Sequence, residues 1–178
     1  MEAGLHPYLT FRVAGQHFAL SSNVVRGILP TSVMLPLPRM PSGLAGVARY
    51  GTLSLIVVDL RERLSLADGK TGVSAGQRLV IVEKGATRGG ISFASIVREI
   101  SMAEKGLFDK TAARDTVATL SADDQKKLAA LLVDRVTGIN YYRARDFQQG
   151  AFRGQGRPRR YVDVNEVLTQ DDLACVGG

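Results

Sequence analysis

Residues 8–20 read YLTFRVAGQHFAL, and this stretch decides the fold. Apolar Leu9, Phe11 and Val13 alternate with polar residues, which is the period-2 pattern of a half-buried β-strand. Residues 14–16, Ala-Gly-Gln, then supply a turn, and the alternation resumes after them. The sequence therefore predicts a β-hairpin near the start of the chain.

More strands are predicted along the chain. Residues 53–60 read LSLIVVDL, a nearly continuous apolar run that is typical of a strand covered on both faces. We expect further strands at 78–83 and 91–100, the second returning after a turn. The proline-rich residues 30–41 predict an extended connection or a sheet edge, because proline cannot donate to a ladder. Residues 23–29 fit either a helical turn or a strand.

One helix is predicted, over residues 121–132. Ser121 is a good N-cap, Asp124 follows three residues later, and leucines recur at helical spacing. Residues 133–142 return to β-like composition, and 161–168 alternate like a closing strand. Many short strands, not alternating with helices, favour a barrel or sandwich over a doubly wound fold.

Length and composition set limits on the class of protein. The chain has 178 residues, enough for one domain or two tightly joined subdomains, and a formal net charge of +6. No apolar run approaches the roughly 20 residues that span a bilayer. Residues 1–7 lack the features of a signal peptide, so we expect a cytoplasmic protein without membrane insertion. The one cysteine, Cys175, cannot form an internal disulfide.

The sequence carries no pattern of catalytic or metal-binding residues. His6 and His17 are the two histidines, and neither an H-x-x-H nor a C-x-x-C motif is present. Residues 85–90, GATRGG, lack the Lys-Ser/Thr of a phosphate-binding loop, so a turn is the better interpretation. We therefore expect a protein that is not an enzyme, with no catalytic residue, no cofactor and no metal.

A basic loop is compatible with a different function. Four arginines fall within Arg153–Arg160, and the aromatic residues Tyr141 and Tyr142 precede them. Such a loop could bind phosphates while the aromatic rings stack on bases. We favour a solvated loop or a protein contact, because no RRM, KH or helix-turn-helix pattern accompanies it. A nucleic-acid-binding β-barrel that uses this loop remains the alternative hypothesis.

The order of several short motifs resembles that of CheW-like domains. The hairpin at 8–20 is followed by VRGI at 25–28, where the family has V-x-E-I, and then by LPRMP at 37–41. Residues 46–61, GVARYGTLSLIVVDLR, are similar to the family's G-V-I-N-L-R-G-x-V-x-P-V-x-D-L. The match over residues 8–66 identifies the chain as a divergent CheW-like domain.

The second half resembles the family less closely. The family's strand G-L-L-V-D-x-V has two candidates, residues 90–96 and residues 131–136, and we prefer the first on hairpin geometry. The predicted helix would then belong to an insertion. Residues 162–168 resemble the family's closing strand. Two differences stand out. The family's N-L-R-G reads ARYG at 48–51, so the arginine is displaced by one position, to Arg49, which places it on the opposite face of a strand. Gly27 stands where the family has a glutamate.

The resemblance implies a mainly β fold of two small SH3-like five-stranded barrels with a groove between them and a helical insertion in the second half. Residues 1–178 would form one CheW-like domain, with approximate subdomains at 20–85 and 86–160 and the termini closing the first barrel.

The resemblance also implies a function. The chain would be a cytoplasmic adaptor, recruited to receptor arrays at the inner face of the membrane. It would couple the tip of a chemoreceptor coiled coil to a CheA-type histidine kinase. We expect the kinase to dock on exposed residues of a barrel edge. The candidates are Val25, Ile28, Leu29, Arg49, Tyr50 and Gly51.

Overall fold

Two β-sheets organise the chain. The computed structural model describes residues 4–66, 76–86, 93–143, 160–169 and 172–173. The strands are β1 (His6–Val13), β2 (Gln16–Ser21), β3 (Val25–Pro30), β4 (Met34–Pro36), β5 (Leu44–Tyr50), β6 (Leu53–Asp59), β7 (Arg78–Glu83), β8 (Leu128–Val133), β9 (Arg135–Tyr142) and β10 (Arg160–Tyr161). The helices are α1 (Leu60–Arg63), α2 (Phe93–Glu104), α3 (Lys110–Thr119), α4 (Ala122–Gln125) and α5 (Val164–Val167).

The first sheet has four strands in the order β10-β2-β1-β9. Its β1–β2 hairpin confirms the prediction for residues 8–20, with Leu9 opposite Leu20 and Phe11 opposite Phe18. The connecting residues Ala14 and Gly15 both have positive φ, at 51° and 76°. A two-residue turn with this backbone matches the right-handed twist of the strands that it joins.

The second sheet has six strands in the order β3-β7-β8-β6-β5-β4. Residues 55–58 of β6 and every residue of β8 are buried, so both faces of the sheet centre are covered. This confirms the prediction of a doubly covered strand at 53–60. The proline-rich segment supplies β4 at the sheet edge, also as predicted. Residues 23–29 form a 3-10 turn followed by β3.

Each face of the six-stranded sheet borders a separate core. One core is enclosed by the curl of this sheet and closed by α3, and its members include Tyr50, Leu79, Leu132 and Val117. The other core lies against the four-stranded sheet, α1, α2 and α5. The result is a mainly β molecule in two parts, as the resemblance implies.

The returning strand was predicted at the wrong place. Residues 93–104 form α2, whereas β8 pairs with β7 antiparallel, with Leu79 opposite Leu132. The stretch 131–136, our second choice, therefore supplies the return. The buried or half-buried Ile96, Ile100 and Ala103 have helical spacing, which is the signal that the strand prediction overlooked. Residues 90–92 lie outside the described part of the chain.

The helix prediction at 121–132 is also wrong beyond its first turn. Ser121 caps α4 as expected, since its hydroxyl accepts a 3.1 Å hydrogen bond from the amide of Asp124. The following LAALLV segment is β8, because a strand buried on both faces is apolar throughout and can imitate a helical stripe. The predicted closing strand at 161–168 is instead β10 followed by α5, with Asp163 as the N-cap.

The sheets divide the chain differently from the expected subdomains 20–85 and 86–160. Strand β8 belongs to the same sheet as β3–β7, and the N-terminal hairpin pairs with β9 and β10. The described strands are split four and six between the sheets, whereas five and five were expected. The domain therefore consists of a six-stranded sheet formed by β3–β8 and a four-stranded sheet that joins β1 and β2 to β9 and β10.

Candidate partner-binding surfaces

Most of the predicted docking residues lie in the cores. Val25, Ile28, Leu29 and Tyr50 are each at most 3% exposed. The expectation that they form an exposed barrel edge is therefore wrong, because α2 packs over β3 and β5 turns Tyr50 inward. Substitutions at these four positions would report first on folding.

Arg49 and Gly51 lie closer to solvent. Arg49 is exposed on β5, on the face opposite to that of its neighbour Tyr50. Gly51 is half-buried in the β5–β6 turn with φ 60°, and a Cβ there would lie 3.1 Å from the carbonyl oxygen of Ala113 in α3. Gly51 therefore permits α3 to approach the turn closely, and Arg49 is the candidate able to touch a partner directly.

An exposed apolar strip lies beside Arg49 on the outer side of β4 and β5. Leu35 on β4 is 60% exposed, and it is opposite the half-buried Val47 on β5. Leu37 follows at 38% exposure. We call Leu35, Leu37, Val47 and Arg49 the β4–β5 surface. The sequence signal for it is the alternation of leucine and proline at 35–38, which we interpret from the sequence alone as an extended connection or a sheet edge and not as a partner contact.

A glycine allows β4 to lie against β5 at this surface. Gly46 has φ 155°, and a Cβ on it would lie 2.2 Å from the carbonyl oxygen of Leu35. No side chain fits at such a distance, so only glycine permits the strand pairing that presents Leu35 outward. The surface is thus held by backbone geometry on a sheet edge.

A cleft lies where α2 crosses from one sheet to the other. Its volume is about 460 Å³. It combines apolar and charged residues from four elements: Ile28 of β3, Arg78 of β7, Ile100 and Glu104 of α2, and Arg135 and Val136 of β9. We call this the inter-sheet cleft. It is the groove between two β units that the resemblance implies, although here α2 forms one of its walls.

Buried charges fix β3, which borders this cleft. The guanidinium of Arg26 donates from Nε to Glu83 Oε2 at 2.8 Å, and its Nη2 lies 2.7 Å from the same oxygen. Both side chains are 6% exposed, and Arg26 Nη1 also donates to the carbonyl of Asn23 at 3.0 Å. This buried, hydrogen-bonded ion pair therefore links β3 to β7.

Glu99 joins α2 to the free edge of β3. Its carboxylate accepts a 3.0 Å hydrogen bond from the amide of Ile28. Burial raises the pKa of Glu99 from 4.5 to about 7, and this effect exceeds the opposing influence of the Ile28 hydrogen bond and of Arg98. The side chain therefore titrates near neutral pH while it blocks a sheet edge.

The basic loop falls largely outside the described residues, which include Arg160 but not 144–159. The guanidinium of Arg160 lies 5.7 Å from the ring centre of Phe18 and packs on the hairpin. Among the described residues, no three His, Cys, Asp or Glu side chains are grouped so as to hold a metal ion. In the same part of the chain, no helix is long and apolar enough to cross a membrane.

The fold and these surfaces define a β scaffold whose exposed features are an apolar edge and a cleft. A family model described as the CheW-like domain matches residues 7–122, well over half of the chain. The chain belongs to the CheW-like domain family, which is a family of scaffolds and adaptors of chemotaxis and not of enzymes.

A solved structure agrees with this assignment. The crystal structure of the scaffolding protein TtCheW from Thermoanaerobacter tengcongensis matches with a TM-score of 0.61. The match covers 94% of this chain and 95% of that chain at 14% sequence identity, so it shows a shared fold. A comparison with curated proteins gives no match.

Proposed function

We propose that this chain is a non-enzymatic adaptor that couples chemoreceptors to a CheA-type histidine kinase in a chemotaxis or motility pathway. One observation carries the proposal. The β4–β5 surface places Leu35 and Leu37 in solvent beside the cation Arg49, on a sheet edge whose backbone is fixed. Apolar anchors on rigid elements, flanked by a charge, are the usual centre of a protein interface.

The kinase partner docks on the β4–β5 surface in this proposal. Leu35 and Val47 supply the apolar contact, and Arg49 supplies a guanidinium for an acidic residue of the partner. This places the contact at Arg49, one residue away from the buried candidate Tyr50, because alternate residues of a strand face opposite sides. Of the predicted site, Arg49 keeps a direct role, while Val25, Ile28, Leu29 and Tyr50 support the strands beneath.

The receptor partner docks at the inter-sheet cleft in this proposal. The cleft presents the half-buried Ile100 beside the charged Arg78, Glu104 and Arg135, while its other apolar lining residues, Ile28 and Val136, are buried. An amphipathic helix with charges of both signs along its edge suits such a lining. Binding there would recruit the adaptor to receptor arrays at the inner face of the membrane.

The decisive experiment is a calorimetric titration against the regulatory β-domain of the CheA-type kinase from the same organism. Leu35→Asp should weaken binding at least tenfold, because it places a carboxylate in the apolar contact. Val97→Asp is the matched control, since Val97 is 48% exposed on α2 and lies away from the β4–β5 surface. Equal affinities for Leu35→Asp and the unmodified chain would refute the docking surface, and no binding by the unmodified chain would refute the function.

The receptor side needs a separate measurement. A soluble fragment of the receptor tip is titrated against the chain and against Glu104→Arg, which changes an exposed charge in the cleft wall. Lys105→Glu is the control, an exposed charge reversal on the next residue that does not line the cleft. A change in affinity for Glu104→Arg alone supports the cleft, and equal effects of both variants would contradict it.

A further inference from the structure

A row of basic side chains crosses the outer face of the four-stranded sheet, the face away from the main core. Arg12 on β1 lies opposite His17 on β2 and opposite Arg135 on β9. Residues that pair directly share a face of the sheet, and neighbouring strands are about 4.7–4.9 Å apart. Three basic side chains therefore stand side by side across about 10 Å of surface.

The two arginines of this row have no counterion in the described part of the chain. The guanidinium groups of Arg12 and Arg135 form no hydrogen bond or ion pair with another described residue. The neighbouring carboxylate, Asp134, is already used: it accepts from the Ala14 amide at 2.7 Å and from Arg61 at 2.7 Å. Like charges directly opposite each other in a sheet are unfavourable, so an anion between them would relieve repulsion.

The rest of the face indicates what kind of anion fits. The ring of Tyr8 packs against Tyr142 at 5.9 Å and against Tyr161 at 6.1 Å, and Tyr8 is only 7% exposed. These rings contact each other and offer no open platform on which bases could stack. A row three side chains wide also gives no track for a polynucleotide backbone. Carboxylates of a protein fit better than phosphodiesters.

We propose that Arg12 and Arg135, extended by His17, bind an acidic helix of a partner protein. Glutamate side chains one turn apart on a helix are about 5–6 Å from each other, which is close to the separation of adjacent strands. Each guanidinium can hold one carboxylate through two parallel hydrogen bonds. The row lies on the four-stranded sheet, whereas the kinase surface proposed above belongs to the six-stranded sheet, so this proposal is independent of kinase docking. Of the row, Arg135 also lines the inter-sheet cleft, whereas Arg12 and His17 do not.

The test uses the full chain and a fluorescein-labelled alanine-based helical peptide with glutamate at every fourth position. Binding is followed by fluorescence anisotropy at 50 mM salt. The double variant Arg12→Gln/Arg135→Gln should bind at least tenfold more weakly than the unmodified chain. The matched control is Lys105→Gln/Arg114→Gln, which removes the same charge at exposed positions elsewhere, and it should change the affinity less than twofold.

Thermal melting shows that the variant is folded. Because repulsion is removed, Arg12→Gln/Arg135→Gln should melt no lower than the unmodified chain, and the peptide should raise the melting temperature of the unmodified chain alone. Equal losses of peptide affinity in both double variants, or no binding of the peptide to the unmodified chain at 50 mM salt, would overturn the proposal. Tighter binding of a dT12 oligonucleotide than of the peptide, with the same sensitivity to the arginines, would overturn the choice of partner.

Discussion

The hydroxyl of Tyr50 donates a 2.9 Å hydrogen bond to the main-chain carbonyl of Arg26. These residues belong to β5 and β3, which are separated by three strands in the order of the sheet, so the bond crosses the interior of the curl. A Cβ on Gly27 would lie 3.1 Å from the same hydroxyl. Gly27 and Tyr50 stand where the family's motifs have a glutamate and an arginine. These two residues, which both differ from the family's motifs, are therefore in contact.

Removing the hydroxyl of Tyr50 should weaken the attachment of β5 to β3 across the curled sheet. Tyr50→Phe leaves the buried carbonyl of Arg26 without its donor, which costs about 1–3 kcal/mol of the free energy of unfolding. Burial raises the pKa of Tyr50 to about 12, so the phenol is neutral at every pH of the assay. Urea denaturation measures the loss. Tyr141→Phe is the control, since its hydroxyl is on a side chain that is 52% exposed, and it should change little.

The contact between the two departures predicts energetic coupling. Gly27→Glu alone should destabilise the fold, because its Cβ meets the Tyr50 hydroxyl and its carboxylate has no cation to pair with. Tyr50→Arg alone should destabilise it by burying a guanidinium. Together, the two variants place opposite charges in contact, because a Cβ on Gly27 would lie beside the Tyr50 side chain. The double variant should then be more stable than the sum of the single effects by about 1–3 kcal/mol, and strictly additive effects would contradict the coupling.

The sequence predicted the elements whose pattern has one structural interpretation. The hairpin at 8–20 alternates strictly around a turn, and the strand at 53–60 is too short and too β-branched for a helix. The edge strand β4 followed from the inability of proline to donate to a ladder. The family motifs lie in these same elements, and this is why the fold and family could be inferred.

The predictions for the second half of the chain were wrong for a physical reason. The LAALLV segment of β8 is apolar at every position, so its leucines fit a helical stripe as well as a doubly covered strand. Only its neighbours β6 and β7, far away in sequence, decide between the two. The prediction that the docking residues are exposed was wrong for a similar reason. The sequence shows that Val25, Ile28 and Tyr50 are apolar or aromatic, but whether α2 and α3 cover them depends on tertiary packing.

The buried pair of Arg26 and Glu83 should respond asymmetrically to substitution. Arg26→Met leaves the Glu83 carboxylate buried without a counterion, and this should cost about 3–5 kcal/mol of unfolding free energy. Adding Glu83→Leu should restore most of that loss, because two apolar side chains need no desolvation. Chemical denaturation of the two single variants and the double variant gives the comparison.

The exposed pair of Arg98 and Asp109 is the control for this experiment. Their nearest charged atoms are 3.6 Å apart, and Arg98 is half-exposed. Arg98→Met should therefore change stability by less than about 1 kcal/mol. A double variant at positions 26 and 83 that is no more stable than Arg26→Met would mean that the ion pair contributes more than its own desolvation cost.

Glu99 should make the stability of the fold depend on pH near neutrality. The pKa of Glu99 is raised from 4.5 to about 7 by burial, so the folded chain retains a proton that the unfolded chain loses at lower pH. Its contribution to stability is therefore fully present below about pH 4.5 and is lost as the pH rises to about 7. The loss proceeds at up to about 1.4 kcal/mol per pH unit.

Replacing the carboxyl group should remove this dependence. Glu99→Gln keeps an oxygen that can accept from the Ile28 amide but cannot titrate, so the variant should gain stability relative to the unmodified chain as the pH rises from 5 to 8. Urea midpoints at pH 5, 6, 7 and 8 measure the difference. Glu104→Gln, an exposed change on the same helix, should give a curve parallel to that of the unmodified chain. A parallel curve for Glu99→Gln would place the titrating group elsewhere and would leave the attachment of α2 to β3 independent of pH.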